Sequence, residues 1–234
     1  MSTNPSSGAL DERKPPQGLR RFWAENALSI VVFSCFLLFW LAQALTGWAN
    51  FNEDQLPHHQ TAVPFLQYLK SSEFWSATAE NWESEFLQMG VYVILTIYLK
   101  QRGSADSNPY PDEDTDEKPL DPAQAPGPVK RRGWILALYR NSLSLTLLTL
   151  FGGAMLLHAV ASHHVFNHEQ QLHGEHPVSF LTFLGKPDFW FQSFQNWQSE
   201  FLAIGTLVVL TIFLRQIGSS QSKAVEAPHR QTGD

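Results

Sequence analysis

The chain has 234 residues, 44% hydrophobic and 16% charged, with a formal net charge of -6, a pI near 5.8 and a mean hydropathy of -0.18. These averages exclude a collagen-like or fully disordered chain and a strongly basic nucleic-acid binder. They also conceal a partition: no charge lies between Glu25 and Glu53, a gap of roughly 27 residues against the ~20 that cross a bilayer core.

Residues 1–20 are polar and expected to be disordered. The first apolar run, Ala27–Trp48, reads as a membrane span, and the lone Cys35 inside it can form no intramolecular disulfide. Ala42-Gln43-Ala44 resembles a leader cleavage site. The run exceeds a typical apolar leader core of about 7–15 residues, and a matching Ala159-Val160-Ala161 lies mid-chain, so a retained span is expected. In the following loop Phe65, Leu66, Tyr68, Leu69, Phe74 and Trp75 read as a short element on the membrane surface, with Ser71 or Ser72 as a helix cap. A second span is expected over Trp82–Leu99. Residues 105–133, with six prolines and the acidic run Asp112–Glu117, are expected to be a disordered linker because they bury too little apolar surface to offset ordering entropy.

Two further spans are expected at Leu143–Ser162 and Trp197–Leu214, with Phe180, Leu181, Phe183, Leu184, Phe189 and Trp190 repeating the surface element and Pro187 as an early-turn proline. The second half copies the first. At a shift of about 115, residues 26–104 align with 141–219 without a gap and are identical at roughly 30 of roughly 80 positions. Each unit crosses an even number of times, so the copies insert the same way round. The fold class expected is therefore an all-α membrane protein of four transmembrane helices, in two tandem, parallel-repeat hairpins over 21–104 and 134–219, with a disordered tail over 220–234. An inverted-repeat transporter is disfavoured.

Cations set the orientation. Arg13, Lys14, Arg20 and Arg21 precede the first span; Lys100, Arg102, Lys118, Lys130, Arg131, Arg132 and Arg140 lie between the second and third; Arg215, Lys223 and Arg230 follow the fourth. Only Lys70 and Lys186 remain for the two other loops. Positive charge stays inside, which puts both termini and the linker in the cytoplasm.

Four residues stand out as candidates for membrane function. Only about 14 uncharged residues separate Glu85 from Lys100, so the second span must borrow back to about Asn81, and Glu85 sinks below headgroup level. Glu200 repeats it. Such acids either do functional work or sit in a helix's first turns and snorkel outward beside Trp82 and Trp197. Depth matching sets Gln43 beside Glu85 and His158 beside Glu200, both ~9 Å from the midplane, and a pH-sensitive His158–Glu200 contact is expected. Trp75, Trp82, Trp190 and Trp197 are the expected interfacial anchors. The spacings His164-x3-His168 and His173-x2-His176 suit metal ligands, but only His58 and His173 pair between the copies and no metal signature appears, so a solvated polar loop is the expectation. Neither a metal nor a cofactor is expected.

The block Asn81-Trp82-Glu83-Ser84-Glu85-Phe86-Leu87-Gln88-Met89, followed by Tyr98–Ala105, resembles an uncharacterised bacterial membrane-protein family defined only as a domain of unknown function. The resemblance covers 21–107 and 140–220. The second copy departs from it at Gln198, Ala203 and Ile217, which argues against a role for Glu83, Gln88 or Arg102. It implies a multi-pass bacterial membrane protein and supplies no activity. The expected role is a non-enzymatic envelope or partner-binding component of the inner membrane, whose partners are the lipid bilayer and a second copy or another membrane protein, not nucleic acid. A small transporter or channel with Glu85 and Glu200 on a proton or cation path is the alternative, and a haem protein using His158 is a third class.

Overall fold

The computed structural model describes residues 18–55, 60–112, 125–131 and 133–233. His58, His59 and residues 113–124 and 132 of the expected linker lie outside them. The chain divides into two compact units, up to Phe65 and from Leu66 onward.

The first unit is built on α1, Leu19–Gln55, whose 37 residues extend about 55 Å at ~1.5 Å per residue. Its stretch Glu25–Gln55 has a hydropathy of 2.2 and is long and apolar enough to cross a membrane. Leu28, Val31, Phe33, Leu38 and Phe39 are exposed along it, as a surface bathed in lipid requires. Beyond the apolar stretch the chain folds back. Asn52 holds Val63 from both sides, accepting from its N–H at 2.8 Å and donating to its carbonyl at 3.2 Å, and Trp48 Nε1 donates to the same carbonyl at 2.7 Å.

Within the second unit, a short α2, Phe65–Tyr68, leads into α3, Ser72–Tyr98. Ser71 is the cap: its hydroxyl accepts from the Phe74 N–H, and Glu73 complements the positive end of the helix. Two short helices, α4 (Gly127–Lys130) and α5 (Trp134–Arg140), precede α6, Ser142–Leu172. Then α7 (Phe180–Leu184), capped by Ser179, leads to α8, Pro187–Phe213, which opens on Pro187. The stretches expected from the aromatic pattern each open as a short helix, while Phe74-Trp75 and Phe189-Trp190 fall in the first turns of α3 and α8. The Asn52 clasp recurs: Asn167 accepts from Val178 N–H at 2.8 Å and donates to its carbonyl at 3.0 Å.

α3 runs antiparallel to α6 and parallel to α8. Ser76 meets Ser162 while Gly90 lies against Leu147 and Leu148, so α3 and α6 run in opposite senses. Asn196 reaches Glu80, and Gln88 reaches the Glu200 carbonyl, in the same sense along α3 and α8.

Among the described residues every regular element is helical, and three helices are long and apolar enough to cross a membrane: α1, α6 and α8. Of the four spans expected, three meet that measure and α3 does not. α3 has the length, but Glu73, Glu80, Glu83 and Glu85 crowd its first half.

The segments expected to be disordered are partly ordered. Residues 105–112 turn back onto the end of α3: Gln101 N–H donates to Ser107 Oγ at 2.9 Å, and Arg102 reaches Asp112 at 3.2 Å while stacking on Tyr110. Residues 220–233, expected as part of a solvated tail, run as turns around a buried Lys223. Its ammonium donates to the carbonyls of Gly103, Pro228, His229 and Gln231. Gly103 adopts φ 86°, and a Cβ there would collide with the His229 carbonyl oxygen.

Candidate functional site

The most chemically loaded place in the protein is the junction of α3, α6 and α8. His158 projects from the middle of α6 with Glu83 opposite on α3, and both side chains are fully buried. His158 Nδ1 lies 2.8 Å from Glu83 Oε2, and its Nε2 lies 3.2 Å from Gln192 Oε1 on α8. The other carboxylate oxygen of Glu83 accepts from Trp197 Nε1 at 3.1 Å. One turn earlier on α3, Glu80 accepts from the Asn196 side-chain amide, and its charge interacts with both His158 and Glu83.

Apolar packing holds the imidazole in place. The His158 ring lies against Phe189, with centroids 5.1 Å apart, and Phe189 belongs to a buried cluster with Ala159 and Phe183. The loop ends of α7 and α8 supply that wall, so the surface element positions the buried pair.

From the imidazole a chain of hydroxyls and an amide leads toward the loop end. Ser162 Oγ donates to Gln192 Oε1 at 3.4 Å, and Ser76 Oγ lies 2.6 Å from Ser162 Oγ. All three residues line a cavity of about 320 Å³ that also holds Glu169, His173 and Asp188. The two hydroxyls each donate and accept, whereas the Gln192 oxygen only accepts.

The expected His158–Glu200 contact is replaced. Both ring nitrogens are taken by Glu83 and Gln192, because the face of α6 bearing His158 packs on α3. Glu200 is partly buried on α8, with its backbone carbonyl accepting from Gln88; Glu85 is exposed on α3, and the two charges lie close enough to interact. Gln43 lies partly buried on α1 in the first unit, its carbonyl accepting from Thr46 at 3.3 Å. Of the expected anchors, Trp75 and Trp190 bind equivalent carbonyls, Leu69 at 3.1 Å and Leu184 at 2.9 Å, and Trp82 packs edge-on to Trp75. Trp197 departs from that role: its N–H points inward to Glu83 instead of toward headgroups. No group of histidine, cysteine and acidic side chains among the described residues is arranged to hold a metal ion.

A family model described as a domain of unknown function, DUF6766, matches residues 19–234. The chain belongs to that family. The DUF6766 match runs through the junction and the tail, so the Lys223 cage lies within the family's domain. No curated protein and no solved structure matches the chain.

The three residues that the imperfect repeat had set aside all make specific contacts here. Glu83 binds His158, Gln88 binds the Glu200 carbonyl, and Arg102 pairs with Asp112. Recurrence between copies is a poor guide to them because each meets a partner outside its own copy or in the linker. A readable signal existed nonetheless: a buried histidine in a membrane segment needs an acceptor, and Glu83 lies on the same α3 stripe as Ser76 and Gly90.

Proposed function

We propose that the protein is a non-enzymatic, multi-pass component of the bacterial inner membrane, with four spans in two tandem hairpins and both termini in the cytoplasm. The observation that carries this reading is the inward turn of the α3 acid at Glu83. Its charge is met by His158 and Trp197 instead of lipid, so α3 can join α1, α6 and α8 across the bilayer despite its composition. Support for the tandem hairpins comes from hydrogen bonds that recur at the spacing of the sequence repeat, namely the Asn52 and Asn167 clasps and the Trp75 and Trp190 bonds.

The partners that fit are the lipid bilayer and a second copy or another membrane protein; nucleic acid is not among them. An apolar cavity of about 630 Å³ beside Leu95, Leu99, Phe201, Ile204 and Val208, with Lys100 at its edge, suits a lipid chain or a partner's side chains. Single cysteines placed in a Cys35→Ala background at Gln67, Thr182, Asn108 and Val225 test the topology with a membrane-impermeant thiol reagent on intact spheroplasts. Labelling at 67 and 182 alone is expected; labelling at 108 or 225 refutes the orientation.

The interaction of the Glu85 and Glu200 charges favours one second reading, a small cation or proton transporter with those acids on its path. Proton or cation flux in liposomes that falls in Glu85→Gln/Glu200→Gln would establish it. Background flux in both forms counts against it.

A further inference from the structure

The junction carries an asymmetry that packing does not need. By the shift of 115, the positions equivalent to His158 and Glu83 are Gln43 and Gln198, two neutral amides. Each copy therefore carries a neutral amide where the other carries the buried acid or base. A buried ion pair is often no more stabilising than neutral residues of similar volume. Stability alone thus gives little reason to keep it.

We propose that Glu83 and His158 form a proton-binding site, reached from the cavity that Gln192, Ser162 and Ser76 line at the loop end of α3, α6 and α8. The ligand is the proton itself, delivered by water in that cavity. Under the topology proposed above the cavity opens to the outer face, and only this sidedness rests on that reading.

The chemistry follows from the donors and acceptors present. With one proton fewer, the imidazole is neutral, Nδ1–H donates to the Glu83 carboxylate, and Nε2 accepts from the Gln192 NH2 group. When a proton arrives, an N–H bond forms at Nε2, the ring becomes imidazolium, and Gln192 must turn its carbonyl toward it. The pair then passes from net negative to a neutral ion pair. In the structure Gln192 Oε1 faces Nε2 and also accepts from Ser162, the orientation that an Nε2–H calls for. Gln192 therefore couples the charge on the ring to the direction of the hydrogen bonds that run to Ser76 and the cavity.

The surroundings suit one-sided access. The charged group that faces the pair from α3 is Glu80, one turn nearer the loop end. α8 turns the uncharged Gln192, Asn196 and Trp197 to the network, and Phe189 closes the remaining side. The cavity rim bears Glu169, Asp188 and His173, with Lys186 over the Phe166 ring. Toward the other end of the helices the junction gives way to Phe151 packed edge-on to Trp197, then to Gly90 against Leu147 and Leu148.

The test uses the full chain in lipid nanodiscs with 15N-labelled histidine. The His158 resonances are assigned by their loss in His158→Gln and followed between about pH 4 and about pH 9. One protonation step at His158 is expected in that range, with proton affinity at least about tenfold weaker in Glu83→Gln, where an amide replaces the negative charge. Ser162→Ala is expected to slow proton exchange at the ring severalfold with little change in affinity. A wild-type His158 that keeps one protonation state throughout overturns the proposal without any variant. So does unchanged affinity in Glu83→Gln. In liposomes, a steady proton current that Glu83→Gln abolishes overturns one-sided access, whereas a wrong topology would only exchange the side from which the site loads.

Discussion

The pair at the junction makes an energetic demand that can be measured. At 2.8 Å, an imidazolium and a carboxylate attract by about 6 kcal/mol for an effective dielectric of about 20. Desolvation costs several kcal/mol per ion, so most of that attraction is offset. Removing one partner leaves the desolvation cost in place. His158→Gln leaves the Glu83 carboxylate buried with the Trp197 N–H and an amide for company, and an expected loss of about 3–5 kcal/mol follows. Glu83→Gln costs less, about 1–3 kcal/mol, because the imidazole can stay neutral and share one hydrogen bond with the new amide. The double variant should lose no more than about 1–2 kcal/mol, since it removes both charges together. Gln43 and Gln198 already fill the equivalent positions with amides. Reversible unfolding in mixed micelles, followed by circular dichroism, gives the four free energies of the cycle. If the two single losses add to the double loss within about 0.5 kcal/mol, the residues are not coupled and the reasoning fails.

Further expectations concern the ends of the helices. Gly103→Ala should displace the tail, because a Cβ collides with the His229 carbonyl, and Lys223→Met should do so by emptying the carbonyl cage; hydrogen exchange over 224–233 should rise in both and stay unchanged near Val63. Ser71→Ala removes the α3 cap and should cost about 0.5–2 kcal/mol, seen as faster exchange in the first turn of α3 and not of α8. The hydrogen bond from Arg102 holds the Asp112 carboxyl below its ordinary value. A depressed acid contributes above the unfolded-state value and loses that contribution as pH falls through the folded-state value, so the contact should open only in acid. In Arg102→Gln the Asp112 titration, read by carboxyl 13C NMR, should move up toward the ordinary range, and an unmoved titration refutes the pairing.

The periodic and apolar parts of the fold were legible in the sequence because they depend on local causes. Apolar runs long enough for lipid became α1, α6 and α8, and the Phe74-Trp75 and Phe189-Trp190 pairs fall in the first turns of α3, capped by Ser71, and of α8, opened by Pro187. α3 was legible as a helix, but its composition does not reveal that Glu83 turns inward; that depends on which face meets α6. Depth matching led to the His158–Glu200 expectation for the same reason. It compares heights along the membrane normal and is blind to azimuth, which decided for Glu83. The tail escaped because its order comes from one lysine amid backbone carbonyls, and carbonyl positions leave no mark in a residue alphabet.

Recurrence and function point in opposite directions in a duplicated chain. What recurs between the copies, such as Asn52 with Asn167 and Trp75 with Trp190, holds loops and helix ends, and these are demands each copy must meet for itself. The junction is supplied unequally: the acids come from the first copy, the imidazole and the Gln192 amide from the second. At the equivalent positions stand Gln198, Gln43 and Ala77. The residues that break the repeat are therefore the ones to read for chemistry in this chain.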